Sequence, residues 1–216
     1  MVYKQYTIKH LSKDLDDILQ PDIWNLIEPL EIKDYLWMDN KYRPLVLVKL
    51  FYTETYIYVK FLVTEQKIKA VYKNYGDPVY KDSCVEFFIN PFPDKSQDYI
   101  NIEVNAIGTL LIGAGKDRNR TLFKQEELRD LQIFSSLDSS IVDTFEPGSW
   151  TLHMRIPMDL FEHYYGERFM KERAIGNFYK CGDETEFEHY GVWNYIHNPE
   201  PDFHLPQYFG ELIFEK

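Results

Sequence analysis

Two glutamates and a set of asparagines share the polar side of two alternating runs. In residues 84–90, Val85, Phe87 and Ile89 alternate with Cys84, Glu86, Phe88 and Asn90. In residues 99–106, Ile100, Ile102, Val104 and Ala106 alternate with Tyr99, Asn101, Glu103 and Asn105. Strand side chains repeat with a period of two, so each run offers one apolar face to a core and one polar face. Paired as a hairpin across residues 91–98, the runs set Glu86, Glu103 and Asn105 beside Phe88 and Tyr99 on an outward face. Amides and carboxylates next to aromatic rings suit a ligand with many hydroxyls and C–H faces, which is the chemistry of a sugar. Two carboxylates about 5–10 Å apart also serve glycoside hydrolysis. Glu86 and Glu103 are the candidates for that; acceptance of hydroxyl hydrogen bonds is the reading taken here.

The C-terminal segment supplies aromatics: Tyr190, Trp193, Tyr195, Phe203, Tyr208 and Phe209. Trp193 and Phe209 read as core. Phe203 lies between Asp202 and His204 in a loop with Pro199, Pro201 and Pro206, and Tyr80 lies in the loop entering the first run. Two such aromatics can sandwich a pyranose, whose C–H groups pack on the ring face. Around residues 181–204, His189, His197 and His204 accompany Cys181 and several acids, but no HExxH or paired CxxC spacing marks a transition-metal site. Asp183, Glu184 and Glu186 offer oxygen ligands for calcium without an EF-hand loop. Residues 113–116 (Gly-Ala-Gly-Lys) lack phosphate-loop spacing and read as a plain turn.

The elements that must position these groups are mostly strands. Residues 45–52, 56–63, 109–112, 150–156, 174–179 and 207–214 carry strand signals, with 66–72 weaker. Pro157 opens a short helix over 158–165, and Pro21 begins a helical turn. Residues 118–131 read as a polar excursion holding a helical turn or two. Seventeen Tyr and 15 Phe in 216 residues favour strands, and the pattern predicts one all-β domain over 1–216, an antiparallel β-sandwich of immunoglobulin-like or jelly-roll-like type with short peripheral helices. A net charge of −11 and a pI near 5.0 argue against nucleic acid or an anionic membrane as partner. No run approaches the ~20 apolar residues of a membrane span, and residues 1–11 lack a signal-peptide pattern, so the expected setting is cytoplasmic, or exported with a leader removed. Cys84 and Cys181 are expected as two free buried thiols rather than a disulfide.

Several segments then form an ordered set: Lys81-Asp-Ser-Cys-Val-Glu-Phe-Phe-Ile-Asn-Pro91, Tyr99-Ile-Asn-Ile-Glu-Val-Asn-Ala-Ile-Gly108, Gly176-Asn-Phe-Tyr-Lys-Cys181, Trp193, and Phe203-His-Leu-Pro-Gln-Tyr-Phe-Gly210. Together with Trp24 and the strand pair at 45–63, they resemble carbohydrate-binding module family 9-like domains over nearly the whole chain. The resemblance implies a β-sandwich that binds glycan chain ends or small sugars, often with structural calcium. It implies an aromatic clamp at Tyr80 and Phe203, and polar ligands at Glu86 and Asn105. Glu103 falls where that family carries an arginine. The alternatives are a glycoside hydrolase or its accessory domain, and a haem-binding domain of the related DOMON type, for which Met38, His153 and Met154 are the available ligands.

Overall fold

The computed structural model describes residues 3–140 and 147–216. Its strands are β1 (Gln5–His10), β2 (Leu30–Ile32), β3 (Asp34–Tyr35), β4 (Leu45–Tyr52), β5 (Tyr56–Glu65), β6 (Cys84–Asn90), β7 (Tyr99–Asn105), β8 (Leu110–Gly115), β9 (Thr121–Leu122), β10 (Gln132–Ser135), β11 (Gly148–Pro157), β12 (Arg173–Cys181), β13 (Tyr190–Val192) and β14 (Gly210–Phe214). Two short helices, α1 (Pro21–Asn25) and α2 (Met158–Tyr165), lie among them; Pro21 starts the first, and Gly166 at φ 65° ends the second. Three single 3₁₀ turns follow the loops, at Val79–Lys81, Gln125–Leu128 and Pro206–Tyr208.

The all-β expectation holds, but the division into two antiparallel sheets does not. The strands form one continuous ladder in the order β10-β11-β5-β4-β1-β14-β12-β6-β7-β8-β9. The join is β1. Its first four residues pair parallel with β14, from Gln5 opposite Glu211 to Ile8 opposite Phe214, and its last two pair parallel with β4. One strand thus belongs to both halves, so the sheet is curled and mixed.

The curl lets apolar faces from both halves meet. Ile57, Val59, Phe61 and Val63 of β5 and Trp150, Leu152, Met154 and Ile156 of β11 share one buried cluster with Val85, Phe87 and Ile89 of β6 and Ile100, Ile102 and Val104 of β7. Phe61 reaches Phe178 of β12 at 6.3 Å between ring centroids, and Phe178 stacks on Phe87 at 4.6 Å. The period-two pattern of each strand therefore selects the same interior. Within it lies one buried ion pair across the halves, Lys180 Nζ of β12 to Glu65 Oε2 of β5 at 3.1 Å. Trp150 Nε1 donates to the other oxygen of Glu65 at 2.7 Å, and Lys180 also donates to the Cys181 carbonyl at 3.0 Å.

Some boundaries move. Residues 66–72 form no strand beyond an isolated bridge at Lys69, and Gly113–Gly115 continue β8 instead of turning. The excursion at 118–131 holds β9 as well as a helical turn.

Candidate functional site

The polar faces of β6, β7 and β12 build the site. Cross-strand register sets Glu86 between Glu103 of β7 and Tyr179 of β12, and Cys84 opposite Cys181. This places the two carboxylates side by side on one face, as the alternation requires.

That face is not open to solvent as expected; every residue of β6 and β7 is buried. The chain from residue 182 to 209 folds back as a roof. Tyr99 OH and His204 Nδ1 share a hydrogen bond at 2.7 Å, and Tyr179 OH donates to the Phe203 carbonyl at 3.1 Å. Beneath the roof Phe88, Tyr99, Tyr179, Phe203 and Phe209 make a second apolar cluster. The aromatics that looked like an outward display instead hold the roof down.

A cleft of about 430 Å³ remains between roof and sheet. Glu86, Glu103 and Cys181 line it from the strands, and Tyr80, Asp183 and Phe203 from the loops. Tyr80 sits on the 3₁₀ turn Val79–Lys81, where its carbonyl accepts from the Asp183 N–H at 3.1 Å. Phe203 is only 8 % exposed and stacks on Tyr179 at 4.1 Å with a 7° interplanar angle. Trp37, at the residue-37 turn, meets Phe203 at 6.0 Å and Tyr190 at 5.8 Å. A larger groove of about 580 Å³, along Lys73, Tyr75 and Leu128, is lined by no acid or histidine and by none of the expected site residues.

The carboxyls are unusual because they are dry. Burial, then the nearby Glu103 charge, holds Glu86 well above the ordinary carboxylate range and favours its protonated form. Burial likewise lifts Glu103 to about 7, against the pull of Arg120, and lifts Asp183 to about 6. Glu86 Oε1 accepts from Cys181 Sγ at 3.1 Å. Glu103 Oε1 accepts from Asn101 Nδ2 at 2.8 Å and from Arg120 Nη2 at 2.7 Å. Burial also lowers His204 to about 3, so the ring that shares the hydrogen bond with Tyr99 is neutral.

The cleft thus gathers Tyr80, Glu86, Glu103 and Phe203, but not Asn105. Asn105 Nδ2 donates to Asp82 Oδ2 at 3.0 Å and to the Tyr72 carbonyl at 2.8 Å, while its oxygen accepts from the Thr109 N–H at 2.9 Å. It ties loops at the far end of β7, and both of its amide hydrogens are already used. The calcium candidates diverge. Glu184 pairs with Lys81 at 2.7 Å, Glu186 pairs with Lys67 at 2.6 Å, and only Asp183 faces the cleft. These three carboxylates do not fit one calcium ion. Nor do the haem candidates fit together: Met154 is in the main core, while His153, its neighbour in β11, faces the other way against Trp24 at 5.5 Å. Cys84 and Cys181 are free and buried, as expected.

Sequence reasoning missed the arginines. Arg120 and Arg118 line the cleft, and Arg118 is held by Asp202 at 3.1 Å and by the Pro201 carbonyl at 2.8 Å. The spacing gave no sign of them, because β8 and β9 carry them back over β7 only once the meander has formed.

Comparison with known proteins agrees with this construction. The family model "Carbohydrate-binding family 9" matches residues 18–214. A solved protein of Bacteroides uniformis, described as carbohydrate-binding, shares 31% identity over 99% of this chain and 100% of its own, with a TM-score of 0.89. A carbohydrate-binding module family 9 of Caldicellulosiruptor kristjanssonii, solved with glucose, is 15% identical over 98% of this chain and 96% of its own, with a TM-score of 0.63. The same module solved with cellotriose matches at 15% identity over 98% and 94%, with a TM-score of 0.63. No curated protein matches the chain. The family is one of binding domains rather than catalytic ones, which sets aside the hydrolase reading of Glu86 and Glu103. With its match spanning nearly all of the sequence, this chain belongs to carbohydrate-binding family 9.

Proposed function

We propose that the domain binds a sugar residue in the cleft under the 182–209 roof and releases it unchanged. The observation that carries this reading is the joining of Tyr80 and Phe203, from loops more than a hundred residues apart, around the two dry carboxyls. Tyr80 offers a half-buried ring for the C–H face of a pyranose, and Phe203 is held rigid for the same use by its stack on Tyr179. A protonated Glu86 both donates and accepts, which matches a hydroxyl on either side of its role. Glu103, already bound to Arg120, supports acceptance, and Arg120 returns a positive group to the place where the aligned strand position is acidic. Directional bonds of this kind act mainly on selectivity, because a site built to pair a hydroxyl rejects a ligand lacking it.

Calorimetric titration with glucose and cellotriose tests the proposal. Tyr80→Ala should weaken binding about tenfold or more, on the order of 1.4 kcal/mol. Glu86→Gln, which keeps volume but fixes the donor at one end, should weaken it as well. Unchanged affinity in Tyr80→Ala sinks the clamp, and no binding of either sugar or of other glycan ends by the wild-type chain sinks the function.

A further inference from the structure

In the floor of the cleft stand two thiols that sugar binding does not use, beside Glu86, which it does. Cys84 of β6 and Cys181 of β12 stand directly opposite each other, and Glu86 follows two residues after Cys84 on the same face. One ligand atom from each of the three lies within 4.8 Å of the others. All three side chains are buried, yet Cys181 and Glu86 also line the cleft. We propose that Cys84, Cys181 and Glu86 form a binding site for a thiophilic divalent ion of the zinc type, set in the cleft floor with its fourth position open to the cleft.

The dimensions decide in its favour. Tetrahedral zinc takes sulfur at about 2.3 Å and carboxylate oxygen at about 2.0–2.2 Å, which puts its ligand atoms roughly 3.5–3.8 Å apart. The three ligand atoms, already inside 4.8 Å on strands held by register, stand close to that spacing. Two thiolates select a soft or borderline ion and disfavour calcium and magnesium, which prefer oxygen. The open fourth position resembles the layout of three protein ligands plus one exchangeable site. Entry is from the cleft, where Asp183 adds negative charge on the wall close to both Glu86 and Cys181. Loading one dication displaces the two thiol protons and the Glu86 proton to solvent, with no change of oxidation state. The site passes from neutral to a single net negative charge.

The site shares Glu86 with the sugar proposal, but the ion is measured with no sugar present, so the two proposals fail separately. The reduced, chelator-treated protein is titrated with Co²⁺ and then with Zn²⁺. The expected result is one Co²⁺ per chain, a near-ultraviolet thiolate-to-cobalt charge-transfer band with the visible bands of a four-coordinate ion, and loss of both on adding Zn²⁺. Cys84→Ser and Cys181→Ser should each reduce the charge-transfer band, and lower affinity by more than the roughly 10–100-fold typical of a partner outside the ligand set. Glu86→Gln should keep the band and weaken affinity. Near-ultraviolet circular dichroism checks that each variant is folded, and the wild-type titration decides the matter even if one is not. The absence of a charge-transfer band from wild-type protein with both thiols reduced overturns the site. So does a band that survives in the double variant Cys84→Ser, Cys181→Ser.

Discussion

Glu103 and Arg120 form the most consequential pair at the level of single residues. Glu103 is 2 % exposed at its side chain, and Arg120 is 14 % exposed, so the pair is largely out of water. The carboxyl nonetheless stays protonated up to about pH 7, because burial outweighs the guanidinium beside it. In the unfolded chain the same group titrates near 4.5. Between those values the folded state holds more protons than the unfolded one, so stability is greatest on the acid side and falls as pH rises from about 4.5 to about 7. The fall is on the order of 3 kcal/mol at most for this group. Urea unfolding at about pH 5 and about pH 8 should show it together with the falls of the same sign from Glu86 and Asp183, and Glu103→Gln should remove only its own share of the slope. A slope of the same size in that variant would place the cause elsewhere. Arg120→Ala removes the one cation that faces Glu103 directly, and should lower stability at about pH 8 more than at about pH 5. Neither effect was visible in the sequence, where Glu103 had no partner at a position for which the family resemblance implied arginine. The compensating charge sits seventeen residues later.

Among the elements, β12 does the most positioning. It carries Tyr179, which Phe203 stacks upon, and Cys181, which donates to Glu86, and it pairs with β6, β13 and β14. At Gly176 its backbone runs so close to β6 that a Cβ would stand 2.6 Å from the Phe88 carbonyl and 2.9 Å from Leu212 Cδ1. Gly176→Ala should therefore cost about 1–3 kcal/mol by overpacking, read as a lower urea midpoint, and should weaken sugar binding through displaced Tyr179 and Glu86. Full stability in that variant would show that β12 and β6 can separate without penalty. Elements of this kind were legible where alternation was strong. The bounds of β4, β6 and α2 coincide with those read from the sequence, and the cores of β5, β7, β11 and β12 were found with ends off by at most two residues. The missed strands had too little pattern. β1 buries only Ile8, β10 has no fully buried residue, and β13 is three residues long. The candidate binding face was legible as residues but not as an environment, because nothing local in Tyr99 or Phe88 says that residues 182–209 will cover them.

For the whole molecule, the curl depends on what crosses its interior. Lys180 and Glu65 are fully buried, one on each half of the sheet. Removing a single partner from such a pair leaves a charge without compensation, so Lys180→Met should lower stability by about 3–5 kcal/mol. Adding Glu65→Leu should return much of that loss, and denaturant unfolding of the two single variants and the double variant checks it. Equal, additive losses would mean that the two groups act separately. Topology on this scale could not be read from the chain, since the parallel contact of β1 with β14 joins segments about 200 residues apart.

The double membership of β1 also sets an order in time. One of its neighbours, β4, leaves the ribosome early, whereas β14 lies about 160 residues further on. At 5–20 residues per second that interval is roughly 10–30 s. Through all of it the nascent chain presents β1 with half of its hydrogen-bonding edge unmatched, a template for pairing with any neighbouring strand. Synthesis of the last strand is therefore also the act that shields the first.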